Sequence, residues 1–401
     1  MAKTTSDKMR AWTGPALFTY GFRPFFLFGA VWAALAMILW IAQLADALEL
    51  PSSLDSVSWH AHEFLFGYLS AVIAGFLLTA VPNWTGRMPV VGWGLAVLFA
   101  IWLAGRVALA TSAWWPGGVA EGVDLAFSIV LGGVILREIL AGKNWRNLVV
   151  LVLLAVFTVA NLTFHIEAAQ GAYAAQGYGL RLGVAAVVLM IALIGGRIVP
   201  SFTRNWLAKQ QAVRLPVPPM QQFDKAVMVA TTAALALWVG VPAHPLTGVT
   251  LVLVGALHLI RLIRWEGAQA LREPLLWVLH LGYAFIPLGA LVEGVSILRP
   301  EWLTVTGAQH VWMAGAFGLM TVAVMTRATL GHTGQDLRAD TATLAIYLGL
   351  IGAVALRVAA AVWPEAASLL YNISGLLWIG AFGGFALIYG RLLLRPKPAK
   401  A

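Results

Sequence analysis

The chain has 401 residues, of which 60% are hydrophobic and only 11% charged. Soluble domains carry roughly 25% charge, so a water-soluble fold of this composition is excluded, and lipid is the solvent that tolerates so much apolar surface. The net charge of +9 does not point to nucleic acid, because the basic residues sit in short loops between apolar runs, the pattern of topology signals.

Cysteine is absent. That excludes disulfides, thiolate metal sites, iron–sulfur clusters and cysteine nucleophiles. Any metal must be held by His, Met, Asp, Glu or a cofactor ring. The polar, basic N-terminal segment shows no cleavable signal pattern before the first apolar run.

A membrane span needs roughly 20 apolar residues. In chain order, the apolar runs predict spans near 25–47, 60–82, 90–112, 118–139, 147–167, 179–200, 224–243, 246–264, 274–297, 304–326, 342–363 and 367–393. The expectation is an all-α integral membrane protein of about 12 helices, forming one polytopic domain over residues 1–401. The connections near 113–118 and 243–246 are short enough to predict tight antiparallel hairpins.

Of the 26 Lys and Arg residues, Arg106 and Arg357 fall inside spans and Arg181 and Arg299 on one side; the other 22 share the opposite side. The positive-inside rule then puts both termini in the cytoplasm. A faint repeat marks the cytoplasmic ends of helices 2, 6 and 10: GFLLTAVPNWTGR (75–87), GGRIVPSFTRNW (195–206) and VAVMTRATLGHTG (322–334). Its four-helix spacing suggests three four-helix units, although helix ends often carry Pro, Thr and Arg without any repeat.

Of the eight histidines, His244 lies in an outer loop and reads as incidental. His60 and His62 open helix 2 in WHAHEFLFG, His165 closes helix 5, and His310 lies early in helix 10. At about 1.5 Å per residue, His310 is roughly 9 Å below the outer end of its helix. His258 and His280 fall on helices 8 and 9, each roughly 9 Å inside the cytoplasmic face. His332 follows helix 10 in a turn-like GHTG. Ionisable groups are costly in a membrane and usually face a site or cavity, and imidazole suits copper and iron. The alternative is that each histidine hydrogen-bonds a neighbouring helix. His60 and His62 point about 200° apart on a regular helix, so they cannot share one ion.

Matched depth predicts that His258 and His280 share one metal ion. His332 is the weakest third ligand, because a straight continuation of helix 10 carries it roughly 40 Å from the helix start. His62 and His310 are the expected axial ligands of a haem near the outer face, with His60 the alternative on helix 2. His165 is a further axial alternative or a ligand of a nearby copper. Arg106 and Arg357 lie at that depth and either pair with haem propionates or snorkel to the outer surface.

The segments GFRPFFLFGA, WHAHEFLFGY, AGFLLTAVPNWTGR, NWRNL, IALIGGRIVPSFTRNWL, REPLLWVLHLGYAFIPLG and MTRATLGHTG resemble the NnrS family of bacterial membrane proteins over nearly the whole chain. The resemblance implies haem (of b type) and copper as cofactors, nitric oxide as the ligand, a setting in denitrification and nitrosative stress, and the bacterial inner membrane. It strengthens metal binding for the histidines without assigning which holds which metal. Three activities fit: reduction of nitric oxide with electrons from a quinol or external donor; non-catalytic binding, protection or sensing; and metal transport or handling. Helices 2 and 10 with outer histidines are also similar in arrangement to the haem–copper oxidases, with no shared motif, and fold alone does not give function.

Overall fold

The computed structural model describes residues 12–396; Lys3, Lys8, Arg10, Lys397 and Lys400 of the topology count lie outside them. Twelve helices are long and apolar enough to cross a membrane. They are α1 Phe22–Leu44, α2 Ser56–Thr85, α3 Trp93–Ala110, α4 Val119–Ala141, α5 Trp145–Ala169, α6 Tyr178–Lys209, α7 Gln222–Gly240, α8 Pro245–Ile263, α9 Pro274–Leu298, α10 Val305–Thr333, α11 Thr341–Val362 and α12 Pro364–Leu394. No strand occurs among the described residues. A backbone in hydrocarbon must satisfy its own hydrogen bonds, which leaves helices as the natural outcome for these runs.

The surface is apolar where a soluble protein would be polar: Val97, Val152, Val229, Leu253, Leu376 and Leu387 are exposed on helix faces. Exposed tryptophans mark helix ends, with Trp93 and Trp145 opening α3 and α5, and Trp114, Trp302 and Trp363 in connections. Amphipathic rings are enriched at membrane–water interfaces for this reason.

Side chains start the helices. Asp55 accepts from the Val57 and Ser58 N–H groups ahead of α2, and Asp340 accepts from Thr343 ahead of α11. Gln221 and Asp224 form a reciprocal capping box at the start of α7. The His244 imidazole accepts from the Leu246 N–H at the start of α8. Each such cap contributes about 1 kcal/mol.

The predicted spans match in number and place, and three run longer than their apolar cores. Helix α2 continues to Thr85, α6 to Lys209 and α10 to Thr333. These extensions carry the Thr/Arg segments of the faint repeat. Pro200 is accommodated inside α6, so the proline did not end that helix.

Contacts divide the chain into two compact units. Unit 1 comprises Met1–Gly183, Ala328–Asp336 and Phe382–Ala401; unit 2 comprises Val184–Arg327 and Leu337–Ala381. In unit 2, α8 and α9 approach closely at Gly248 and Gly294, where a Cβ on Gly294 would lie 3.0 Å from the Val252 nitrogen. Small residues at such crossings let backbones pack without lipid between them.

Candidate metal centre

In unit 1, the ends of four helices bring polar side chains to one buried point. The first seven residues of α2, Ser56–His62, are regular α-helix; the chain then widens into a π-helical turn over Glu63–Tyr68. Such turns recur at functional sites because they re-aim consecutive side chains. Here His62 and Glu63 are both fully buried. Gly67 closes the widened turn, and a Cβ there would collide with the Arg106 guanidinium and the Glu63 carboxylate. Gly105 does the same for α3 and α4: its Cβ would sit 3.2 Å from the Asp124 Cα.

His62 Nδ1 lies 3.1 Å from Glu63 Oε1. Its Nε2 lies 2.9 Å from Asn161 Oδ1 and 3.3 Å from Asp124 Oδ2. His165 Nε2 lies 3.1 Å from the same Asp124 oxygen, and the Asn161 amide donates to it at 2.7 Å. Ligand-capable atoms of His62, Asp124 and His165 all lie within 4.8 Å of one another, and all three residues are buried.

Arg106 sets the charge. Its guanidinium donates to both Glu63 oxygens at 2.8 and 2.7 Å and to Asp124 Oδ1. The Trp32 indole donates to Glu63 at 2.8 Å. Two carboxylates thus share one guanidinium, which leaves one formal negative charge facing two imidazoles. A buried charge needs a counter-ion, and a cation bound between the imidazoles supplies one.

The residues fit a small metal ion. Two imidazoles and a carboxylate are a donor set suited to copper, zinc or iron. His165 Nδ1 is buried without a hydrogen-bond partner, an orphan of the kind that marks an unfilled role. The residues do not fit a haem at His62. The rings of Phe66, Phe164 and His165 pack around it at 5.3, 5.5 and 4.9 Å and leave no room for a porphyrin face, whereas a small ion needs only the space between donor atoms.

Both His62 and Arg106 have protein partners here. His62 meets His165 across the Asp124 carboxylate. Arg106 neither snorkels nor offers itself to a propionate, because Glu63 and Asp124 engage it in the interior. His60, on the other side of the helix, stacks on Trp40 with ring centroids 4.5 Å apart.

The remaining histidines find other partners. In unit 2, His258 Nε2 contacts the Thr231 hydroxyl and its Nδ1 the Tyr283 hydroxyl, both at 2.9 Å. Arg261, one turn along α8, donates to that same Tyr283 oxygen at 2.8 Å and to Asp224 at 2.7 Å. His280 Nε2 contacts the Thr203 hydroxyl at 2.9 Å, and a Cβ on Gly267 would lie 2.6 Å from its Nδ1. Each imidazole therefore has a hydroxyl partner of its own. His332 lies on α10, which stays helical through Thr333 without the turn that a ligand role required, and packs on Phe22 of unit 1 at 5.3 Å.

His310 Nδ1 lies 2.7 Å from the Thr306 carbonyl and 3.2 Å from the Arg357 guanidinium, both within unit 2. Arg357 also lies over the Tyr371 ring at 4.7 Å. A π-helical turn follows His310 over Val311–Leu319, as one follows His62.

Sequence reading centred on histidine and arginine missed Glu63, Asp124 and Asn161 in unit 1, and Asp224 and Tyr283 in unit 2. The signal was available for the acids. Only 17 Asp and Glu occur in the chain, and a carboxylate inside an apolar run is as costly as a histidine.

A family model described as NnrS protein matches residues 16–397. Comparison with curated proteins gives no match.

Proposed function

The chain belongs to the NnrS family, and from that premise we propose that it is a multi-pass membrane protein that handles nitric oxide at a metal ion held by His62, Asp124 and His165. The convergence of these three buried side chains within 4.8 Å carries the reading. Copper is the ion favoured, because imidazole nitrogens suit it and no thiolate competes. When bound, the ion supplies a coordination position for a small ligand such as nitric oxide.

The chain's own residues divide the remaining work. Glu63 fixes the His62 ring through Nδ1, leaving Nε2 to face the ion; carboxylate–histidine–metal arrangements orient ligands in this way. Arg106 offsets part of the negative charge, and Asn161 fills the wall beside Asp124 Oδ2. For haem, His310 is the ligand we favour, and Arg357 lies 3.2 Å from its Nδ1. Arg357 then stands as counter-charge for a propionate.

Turnover of nitric oxide by reduction requires electrons from a quinol or an external partner. Binding that protects other iron centres requires none, and metal handling requires movement of the ion itself. The Lys/Arg asymmetry supports cytoplasmic termini, which a C-terminal reporter fusion tests, and membership of the NnrS family supports a bacterial inner-membrane location.

The deciding experiment is metal analysis with optical and paramagnetic spectra of the purified protein. Copper in the wild type and its loss in His62→Ala and His165→Ala are expected. A Soret band lost in His310→Ala and kept in His62→Ala is expected for haem. Copper content untouched by the unit 1 substitutions would overturn the site, and steady consumption of nitric oxide with a donor separates an enzyme from a protector.

A further inference from the structure

Five acidic side chains are buried among the described residues: Glu63, Asp124, Glu138, Asp224 and Glu293. Four of them sit on arginine. Glu63 and Asp124 share Arg106, Asp224 holds Arg261, and Glu138 is paired with Arg87 and Arg137. Glu293 is the exception.

It lies in α9 with no exposed surface. Its Oε1 accepts from the Trp238 indole of α7 at 2.8 Å, and its Oε2 has no hydrogen-bond partner. Helix α10 contributes the neutral Gln309 beside it, and its Trp312 packs on Trp238 with ring centroids 5.4 Å apart. At the neighbouring Gly294, the nearest atoms from α8 belong to Gly248 and Val252. The side chains that act on the carboxyl, Trp238 of α7 and Gln309 of α10, are both uncharged.

A bare carboxylate in such a place costs several kcal/mol, which two neutral donors, the Trp238 indole and the Gln309 amide, do not offset. The neutral acid removes that cost. Its carbonyl oxygen still accepts from Trp238, and its O–H occupies the position of Oε2. Intramembrane carboxyl groups without a counter-charge mark proton or ion pathways.

We propose that Glu293 is a proton-binding site within unit 2, independent of the metal centre, that exchanges its proton with water at the Leu298 end of α9. It lies five positions before that end, a distance of about 8 Å along the helix axis. The step is a plain proton transfer. The Oε2–H bond breaks, the proton passes to water entering from that end, and the carboxylate keeps its bond from Trp238. The reverse step reloads the site. No electron moves and no co-reactant beyond water is needed.

Infrared difference spectroscopy on the full-length protein in lipid nanodiscs tests this. The wild type should show a protonated carboxylic C=O band at neutral pH that downshifts in D₂O and fades at alkaline pH. Glu293→Gln should remove the band. This substitution keeps a neutral acceptor for Trp238, so the fold is expected to hold. Trp238→Phe keeps the acid and should move the same band to higher frequency, because the carbonyl loses its hydrogen bond. Three results would each overturn the proposal. One is a spectrum with no acid band that depends on Glu293. Another is a band that neither exchanges in D₂O nor responds to pH, which makes the acid a sealed structural group. The third is a band removed by sodium at constant pH, which makes this a metal-cation site.

Discussion

In unit 1, His62 and His165 face a common carboxylate oxygen, whereas in unit 2 His258 and His280 face threonine and tyrosine hydroxyls. The unit 1 cluster holds two imidazoles and a buried arginine, and in unit 2 the buried Arg261 shares Tyr283 with His258. The difference lies in the count of acids. Arg106 serves two carboxylates, so unit 1 carries an excess formal negative charge that a cation can neutralise. Arg261 serves Asp224 alone, so its charge is matched within unit 2 and the imidazoles can remain neutral hydrogen-bonding groups. Histidine depth alone does not locate a metal. On the reading proposed above, the balance of carboxylate and guanidinium around it does, because in a low-dielectric interior uncompensated charge outweighs any single hydrogen bond.

The sharpest way to break this contrast is to remove the acid that creates it. Asp124→Ala takes the common acceptor from His62, His165 and Asn161, and one partner from Arg106. Bound metal should fall to background, and the protein should lose about 3–5 kcal/mol, the usual effect of breaking a buried ion pair. Metal analysis and thermal unfolding in detergent measure both. Undiminished metal would show that the excess charge is not what holds it.

Histidine substitutions set the two units directly against each other. His62→Ala and His165→Ala each remove one of three donors and should lower metal content at least about tenfold. His258→Ala and His280→Ala remove groups bound to hydroxyls and should leave metal content at the wild-type level. The reverse pattern would exchange the roles of the two units.

How much of this could be read beforehand differs between fold and site. Span number and place follow from apolar runs, because hydrocarbon thickness sets one length for every helix. The ends of α2, α6 and α10 were harder, since their last turns are polar and α6 runs on through Pro200. Depth counting placed His62, His165 and Arg106 toward one face, and they do meet. It also paired His258 with His280, whose imidazoles hydrogen-bond hydroxyls of Thr231, Tyr283 and Thr203; equal depth on neighbouring helices does not set rotation about the helix axis. The π-helical turn after His62 is invisible to a 3.6-residue period, and it is this turn that brings Glu63 into the cluster beside His62.

A gentler probe of unit 1 is Glu63→Gln. The new amide would keep a side-chain oxygen for His62 Nδ1 but remove the charge that faces Arg106. The three residues that offer donor atoms to the ion, His62, Asp124 and His165, stay in place. Metal affinity should fall about 10–100-fold, the common effect of altering a carboxylate behind a ligating histidine, while metal still binds at saturation. Competition against a chelator of known affinity reads the shift. Unchanged affinity would mean that Glu63 serves only to neutralise Arg106.

The smallest effect should come from Tyr283→Phe in unit 2, and it separates structure from metal binding most cleanly. The Tyr283 hydroxyl contacts His258 Nδ1 at 2.9 Å and accepts from Arg261 at 2.8 Å. Phenylalanine keeps the ring, which packs on Trp265 with centroids 4.5 Å apart, and removes only the oxygen. Arg261 retains Asp224 and the Ala192 carbonyl, so its charge stays paired, while His258 retains Thr231 and loses its second partner. The cost is then that of one buried polar group left unsatisfied, about 1–3 kcal/mol. Thermal unfolding should show that loss, with metal content and the haem spectrum unchanged. A variant that unfolds normally but loses metal would place an ion beside Tyr283, and the hydroxyl-bound imidazoles of unit 2 would then have to be counted among its ligands.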